Sequence, residues 1–322
     1  MSDNGVPALG NDARALHGAR VLLTGASGFV GTHVARALHA SGARVTGVSR
    51  TARDGSDGLD WIALRDWSEV GLREALSGGD WTAVVNAAAY GVAPSDRDPG
   101  EASRVNAHGV GLLARLAAER GAKAFVQIGS SSEYNATLES GPLHPERSPL
   151  ETRRLYGATK AAGMVLARAT CAAGGVGFRG LRLFNAYGPG EAPHRLLPSL
   201  VRGLQTGRVA LSSGEQERDF VYVEDAAAAI AAALADALAD GGDWIANIAT
   251  GRATSVRAFA ETIADAVGAP RERLGFGDIA QRPDDLPRVV GSPNALHRYL
   301  PRLHLRPPED GIPHAVAGMT GT

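Results

Sequence analysis

The sequence is short of the features that would tie a chain to an oxidising compartment, a bilayer or a polyanion. Its one cysteine, Cys171, rules out an internal disulfide and suits a reducing cytoplasm; it falls in an Ala-rich helical run and reads as packing. Charge of one sign is also missing, since 33 Lys and Arg stand against 34 Asp and Glu for a net of -1. There is no basic field for nucleic acid and no cationic face for an anionic membrane. The longest apolar run, Ala226 to Ala235, has about half the length needed to cross a bilayer. Met1 to Gly18 is polar, broken by Gly and Pro and without an apolar signal core, so residues 1–18 read as a loose leader. No Cys/His/Asp cluster has metal-ligand spacing, and no Ser-His-acid arrangement suggests a hydrolase. A soluble cytoplasmic protein is expected, with no metal, no membrane and no nucleic-acid partner.

What the sequence does have is repetition of strand-like and helix-like segments. Its 322 residues, 44% hydrophobic with 41 glycines, can fill one large domain or two closely joined ones. Strands are predicted at Ala19 to Thr24, Val45 to Ser49, Asp60 to Leu64, Thr82 to Ala89, Ala124 to Ser130 and Gly180 to Phe184. Helices fall between most of them, at Thr32 to Ser41, Ser68 to Leu76, Ala102 to Arg120 and Tyr156 to Ala173. Such alternation is the signature of an α/β doubly wound parallel sheet. After Ala186 Pro and Gly become frequent, and a smaller, irregular lobe is expected there. The first strand runs directly into Gly25-Ala-Ser-Gly28-Phe-Val-Gly31 and then a helix. In that context the glycines allow a tight turn and bring backbone N–H groups and a helix N-terminus to a pyrophosphate.

Tyr156 and Lys160 stand one helical turn apart on one face. A cation beside a phenol favours the phenolate, so the hydroxyl can exchange a proton with a carbonyl or alcohol near neutral pH. At the end of the second predicted strand, where an NAD binder usually carries an acid for the ribose hydroxyls, stand Ser49, Arg50 and, further on, Arg53. These suit the extra 2′-phosphate of NADP, although Asp54 or Asp57 could take the acid's place. NADP(H) is favoured and NAD(H) possible.

Together the motifs resemble the extended short-chain dehydrogenase/reductase family, in its branch acting on nucleotide-diphosphate sugars. The resemblance covers about Arg20 to Leu300. It rests on Gly25-x-x-Gly28-x-x-Gly31, Asp66, Asn86 to Ala89, Asn106, the serines from Ser130, Tyr156-x-x-x-Lys160, Arg182 to Gly190, Glu217 to Asp225 and Arg282 to Pro287. It implies a Rossmann dinucleotide-binding domain at 19–184 plus 217–250 and a mixed α/β substrate lobe at 185–216 plus 251–322. By the same resemblance Gly25, Ser27, Gly28, Phe29, Val30, Gly31, Asp66, Trp67, Ala87, Ala88, Ala89, Asn106, Leu183 and Phe184 join Ser49, Arg50, Arg53, Tyr156 and Lys160 around the cofactor. Ser130, Tyr156 and Lys160 would be catalytic, Ser130 helping Tyr156 to polarise one carbonyl. Ser131, Ser132, Asn185, Arg218 and Arg282 would meet the substrate, the two arginines clamping its diphosphate.

Members that dehydrate sugars carry an Asp-Glu pair directly after the Ser130-equivalent hydroxyl. Here those positions hold Ser131 and Ser132, whose hydroxyls have no accessible pKa for either task. Glu133 is one residue further, and in an extended segment that shift turns it to the other face. Asn135 and Asp284 replace glycines that are more usual in the family. The resemblance thus implies an NAD(P)H-dependent 4-ketoreductase of a nucleotide-diphosphate 4-keto-6-deoxyhexose in deoxysugar biosynthesis, acting as a homodimer. The alternatives are a sugar-nucleotide 4-epimerase with tightly held NAD and, in another class, a non-catalytic NAD(P)-sensing or scaffold protein.

Overall fold

The computed structural model of the chain describes residues 13–55, 58–93, 95–138 and 140–320. Of the expected leader, residues 1–12 lie outside the described residues, while Ala13–Leu16 is a short helix with Leu16 fully buried. The apolar runs that follow become strands: β1 (Arg20–Thr24), β2 (Arg44–Ser49), β3 (Asp60–Ala63), β4 (Ala83–Asn86), β5 (Ala124–Ser130), β6 (Gly177–Leu183) and β7 (Asp243–Ile248). The amphipathic runs become α1 (Phe29–Ala40), α2 (Glu69–Ser77), α3 (Gly109–Glu119) and α4 (Leu155–Ala173), and the Ala-rich apolar run becomes α5 (Val223–Asp240). The strands form one seven-stranded parallel sheet in the order β7, β6, β5, β4, β1, β2, β3. Strand β1 pairs Val21 with Val45 of β2 on one side and with Ala83 of β4 on the other. The winding therefore reverses between β1 and β4, and in open sheets of this kind ligands bind outside the carboxyl ends at that point. The doubly wound α/β class expected from the sequence is the fold the chain adopts.

Near-continuous hydrophobic strands need cover on both faces. On one face α2, α3 and α4 supply it through Leu72, Val110, Leu113 and Met164, packed with Val84, Phe125 and Phe178 of the sheet. Each such side chain contributes about 1.5–3 kcal/mol when fully buried. Strand β7 was not among the strands expected. Buried Arg179 of β6 holds its approach, donating to the carbonyls of Gly241 (2.7 Å) and Gly242 (3.1 Å), pairing with Asp236 (2.6 Å) and lying over the Trp244 ring. The Ala226 to Ala235 run is buried along its length inside α5, and no helix among the described residues is long and apolar enough to cross a membrane.

By internal contacts the chain divides into two units. The first comprises the described residues to Asn135, Pro149–Arg182 and Ala227–Ala246; the second comprises Ala136–Ser148, Leu183–Ala226 and the chain from Asn247 onward. These limits differ from the expected ones at 136–148 and 217–226, each with a backbone cause, and by a few residues at 183–184 and 247–250. Ala136–Ser148 joins the second unit, where Leu143 bridges Gly291 and its carbonyl accepts the Asn247 amide at 2.8 Å. Residues 217–226 join it because Glu217–Arg218 pairs with Thr254–Ser255 and Arg288–Val289, and Phe220–Tyr222 with Asn185–Tyr187. Within the second unit Phe220 stacks on Phe259 at 3.8 Å and Tyr187 meets Phe259 edge-on.

Candidate active site

The turn after β1 is built for a close approach. Gly25 has φ +68°, and a Cβ there would stand 2.7 Å from the Ala87 and Ala88 backbone; any other residue would be both strained and in collision. A side chain at Gly31 would run into the Gly25 carbonyl. Helix α1 begins with Gly28 as N-cap and no side-chain cap, so its first N–H groups stay available to an anion. Asn86 knits the strand tips, accepting from the Thr24 hydroxyl and donating to Gln127 Oε1 at 2.8 Å. Exposed Ser27 and Gly28 and half-buried Phe29, Val30, Ala87, Ala88 and Ala89 thus meet at the fork of β1 and β4. A pyrophosphate fits this cradle, which a Cβ would fill.

At the next fork Ser49 is buried, its hydroxyl donating to the Thr51 carbonyl, while Arg50 is exposed and Arg53 lies over the Trp61 ring. Asp57 lies outside the described residues. Asp66 accepts the Ser68 N–H at 2.8 Å, and bonds from Ser68 hold its carboxyl below the usual range. Trp67 packs over Gly109 of α3 and against the core of the first unit.

Strand β5 ends at Ser130, and the chain there does not stay extended as expected. Ser131–Glu133 is a 3-10 turn closed by a capping box in which Ser130 Oγ accepts the Ser132 N–H (3.1 Å) and Glu133 Oε1 accepts the Ser130 N–H (2.9 Å). Ser-x-x-Glu is the sequence signature of that box, and reading the segment as an alternating strand passed over it. Glu133 still points away from the exposed side of the turn: it is 0% exposed, its Oε2 accepting Arg182 Nε at 2.7 Å. Half-buried Ser131 and exposed Ser132 occupy the turn itself.

Tyr156 enters from the first turn of α4. Before it, Glu151 accepts three successive N–H groups, from Thr152, Arg153 and Arg154 at 2.9, 2.7 and 3.2 Å. Burial would raise its pKa, but these bonds outweigh burial and hold it below the usual range. At Gly157 a side chain would collide with the Ser132 carbonyl, so glycine lets the helix lie directly on the serine turn. Tyr156 is half-buried, with its ring against Gly91, where a Cβ would stand 2.9 Å away. One turn along, Lys160 is 3% exposed and donates to the Ile128 carbonyl at 2.7 Å; burial lowers its pKa, opposed by the charge of Glu133. Ser130, Tyr156 and Lys160 are therefore gathered at the carboxyl end of β5.

The predicted helix from Ala102 is broken by a π turn, Arg104–His108, which re-aims Asn106 inward. Its amide accepts the Tyr90 N–H (2.8 Å) and donates to the Tyr90 carbonyl (2.8 Å) and Thr159 Oγ1 (3.1 Å). The Asn106 side chain thus brackets the loop after β4 against α4. Glu133, Glu151, Arg182 and Tyr90 are the supports that sequence reasoning did not assign.

In the second unit Phe184 is buried and Leu183 half-buried. Asn185 reaches the Asp219 carbonyl through its backbone N–H at 3.0 Å. Arg218 is paired with Asp285 and donates to the Glu217 carbonyl, and Arg282 is exposed. Asp219, fully buried, accepts from Thr250 N–H and hydroxyl, Gly251 N–H and Gly291 N–H at 2.7–3.2 Å. Among the described residues no group of three or more His, Cys, Asp or Glu could hold a metal.

The chain is 32% identical over 222 residues to dTDP-glucose 4,6-dehydratase of Streptomyces griseus, covering 64% of this chain. It is 29% identical over 297 residues to GDP-6-deoxy-D-mannose reductase of Pseudomonas aeruginosa, covering 86% of this chain and 90% of the reductase. The match spans 66% of the dehydratase and just over half the length of the next two curated relatives. The UDP-glucose 4-epimerase of Thermus thermophilus in complex with NAD superposes with a TM-score of 0.79 at 27% identity, over 94% of this chain and 99% of that one. Residues 21–249 match the NAD dependent epimerase/dehydratase family, and the chain belongs to that family.

Proposed function

We propose that the chain is a nicotinamide-dependent oxidoreductase acting as 4-ketoreductase on a nucleotide-diphosphate 4-keto-6-deoxyhexose. The observation that carries this is the serine turn, where Ser131 and Ser132 stand in place of dehydration acids and the nearby Glu133 is buried in its pair with Arg182. The likeness to a reductase over 86% of the chain supports it. Bound at the β1–β4 fork, the cofactor would supply a hydride. The chain's own residues handle the proton: the Tyr156 hydroxyl gives it to the developing alkoxide, Lys160 holds positive charge beside the phenol, and Ser130 donates to the same oxygen. Asn185, Arg218 and Arg282 meet the nucleotide diphosphate, for which Arg218 exchanges its Asp285 partner.

NADP(H) is favoured because Ser49, Arg50 and Arg53 occupy the end of β2. The second reading, a sugar-nucleotide 4-epimerase with NAD held throughout, is favoured by the NAD in the Thermus epimerase complex. Purified protein given NADPH and such a keto sugar is expected to consume NADPH one for one. Unchanged NADPH absorbance overturns the ketoreductase reading, and retained NAD with interconversion of two sugar epimers establishes the other. Buried Cys171, its thiol pushed up to about 12 by burial, fits a reducing cytoplasm. Exposed Val165 and Leu166 on α4 are assigned to contact with a second copy of the chain.

A further inference from the structure

Beneath the Ser130 turn lies a carboxylate that the proposed chemistry does not use. Both oxygens of Glu133 are engaged, Oε1 by the Ser130 N–H at 2.9 Å and Oε2 by Arg182 Nε at 2.7 Å. Gly129 lies against Oε1 with no room for a side chain. Arg182, 3% exposed, also donates to the Tyr134 hydroxyl at 3.1 Å, and the Glu133 carbonyl accepts the Glu151 N–H at 2.7 Å. Lys160 Nζ is bonded to the carbonyl of Ile128, one residue before Gly129. An ammonium and a carboxylate are thus fixed at neighbouring peptide units of one strand end. Burial disfavours that ammonium and the charge of Glu133 supports it. Titratable groups set around them include Arg182 from β6, Tyr134 from the turn, Tyr156 one turn before Lys160 on α4 and Glu151 from the loop before it.

We infer that Glu133 is a positioning residue for the Ser130, Tyr156 and Lys160 centre, one oxygen fixing the serine turn and its charge serving as counter-ion to the buried Lys160 ammonium. Arg182 sets how much of that charge Lys160 feels. The inference rests on Tyr156 and Lys160 being the proton-handling pair, and holds for reduction or epimerisation alike.

The chain has two lysines, Lys123 and Lys160, so protein grown with lysine isotope-labelled at Cε gives two NMR signals, exposed Lys123 serving as control. Glu133→Gln and Arg182→Met break the same ion pair, and a merely structural pair would give the same effect from both. A counter-ion gives opposite ones. Lys160 is expected to titrate about one pH unit lower in Glu133→Gln and correspondingly higher in Arg182→Met, with the alkaline limb of kcat/KM moving the same way in each. Glu133→Asp keeps the charge but shortens the reach to Ser130, so the Lys160 titration should hold while kcat falls roughly tenfold. A Lys160 titration unmoved in Glu133→Gln, or moved the same way by the Gln and Met variants, overturns the inference. Should the Gln variant not fold, Arg182→Met decides alone, an unmoved or lowered titration being the contradiction. The titration needs no substrate, so failure of the ketoreductase assay leaves it intact.

Discussion

At the residue scale the centre depends on a few atoms whose surroundings admit little change. Tyr156→Phe keeps the ring against Gly91 and removes the proton; kcat is expected to fall about 10²–10⁴-fold with KM little changed, as steady-state kinetics would report. In the second unit Asp219→Asn exchanges a carboxylate that accepts four hydrogen bonds for a group that can accept from only one side. The expected cost is about 3 kcal/mol, read from urea unfolding. Glu191 is different: its Oε2 has no hydrogen-bond partner, and burial pushes its pKa up to about 7 against the pull of Arg195. Between pH 4.5, the ordinary value, and about 7 the folded chain keeps a proton that the unfolded chain has released. The contribution of Glu191 to stability therefore falls as pH rises through that window, by at most ~3 kcal/mol. Urea midpoints of the wild type and of Glu191→Gln should therefore diverge between the two ends, the variant losing less stability as pH rises. The Tyr156 and Lys160 spacing was legible because a helix repeats regularly. Glu133 and Asp219 were not, because partners 49 and 31 residues away in sequence define them.

At the element scale three short pieces of backbone aim the site: the glycine turn into α1, the 3-10 turn after β5 and the π turn before α3. The first was readable from glycine spacing. The second was written as Ser130-Ser-Ser-Glu133 but competes with strand alternation, and the third has no local sequence code, since the extra residue of a π turn is stabilised by what it presents, here Asn106 to Tyr90 and Thr159. Contact between elements can be tested at Gly157. Gly157→Ala forces a methyl onto the Ser132 carbonyl, lifting α4 from the serine turn, and kcat should fall about 10²-fold. Unchanged kcat in a folded variant would mean that α4 is not held by that contact.

At the scale of the whole molecule the alternating pattern foretold the doubly wound sheet, while β7, which begins at Asp243 long after β6 ends at Leu183, was hidden from it. The limits of the second unit have no local trace in the sequence, because pairings such as Leu143 with Gly291 join distant segments. A homodimer through α4 should give twice the chain mass by light scattering, and Leu166→Glu should return it to the monomer mass. The most direct test of the central claim, that the Tyr156 centre completes reduction at one sugar carbon, follows deuterium from labelled NADPH into a nucleotide-diphosphate 4-keto-6-deoxyhexose. One deuterium per product at C4, formed by the wild type and lost in Tyr156→Phe, is the expected result; unlabelled product, or undiminished transfer by the Phe variant, would contradict it.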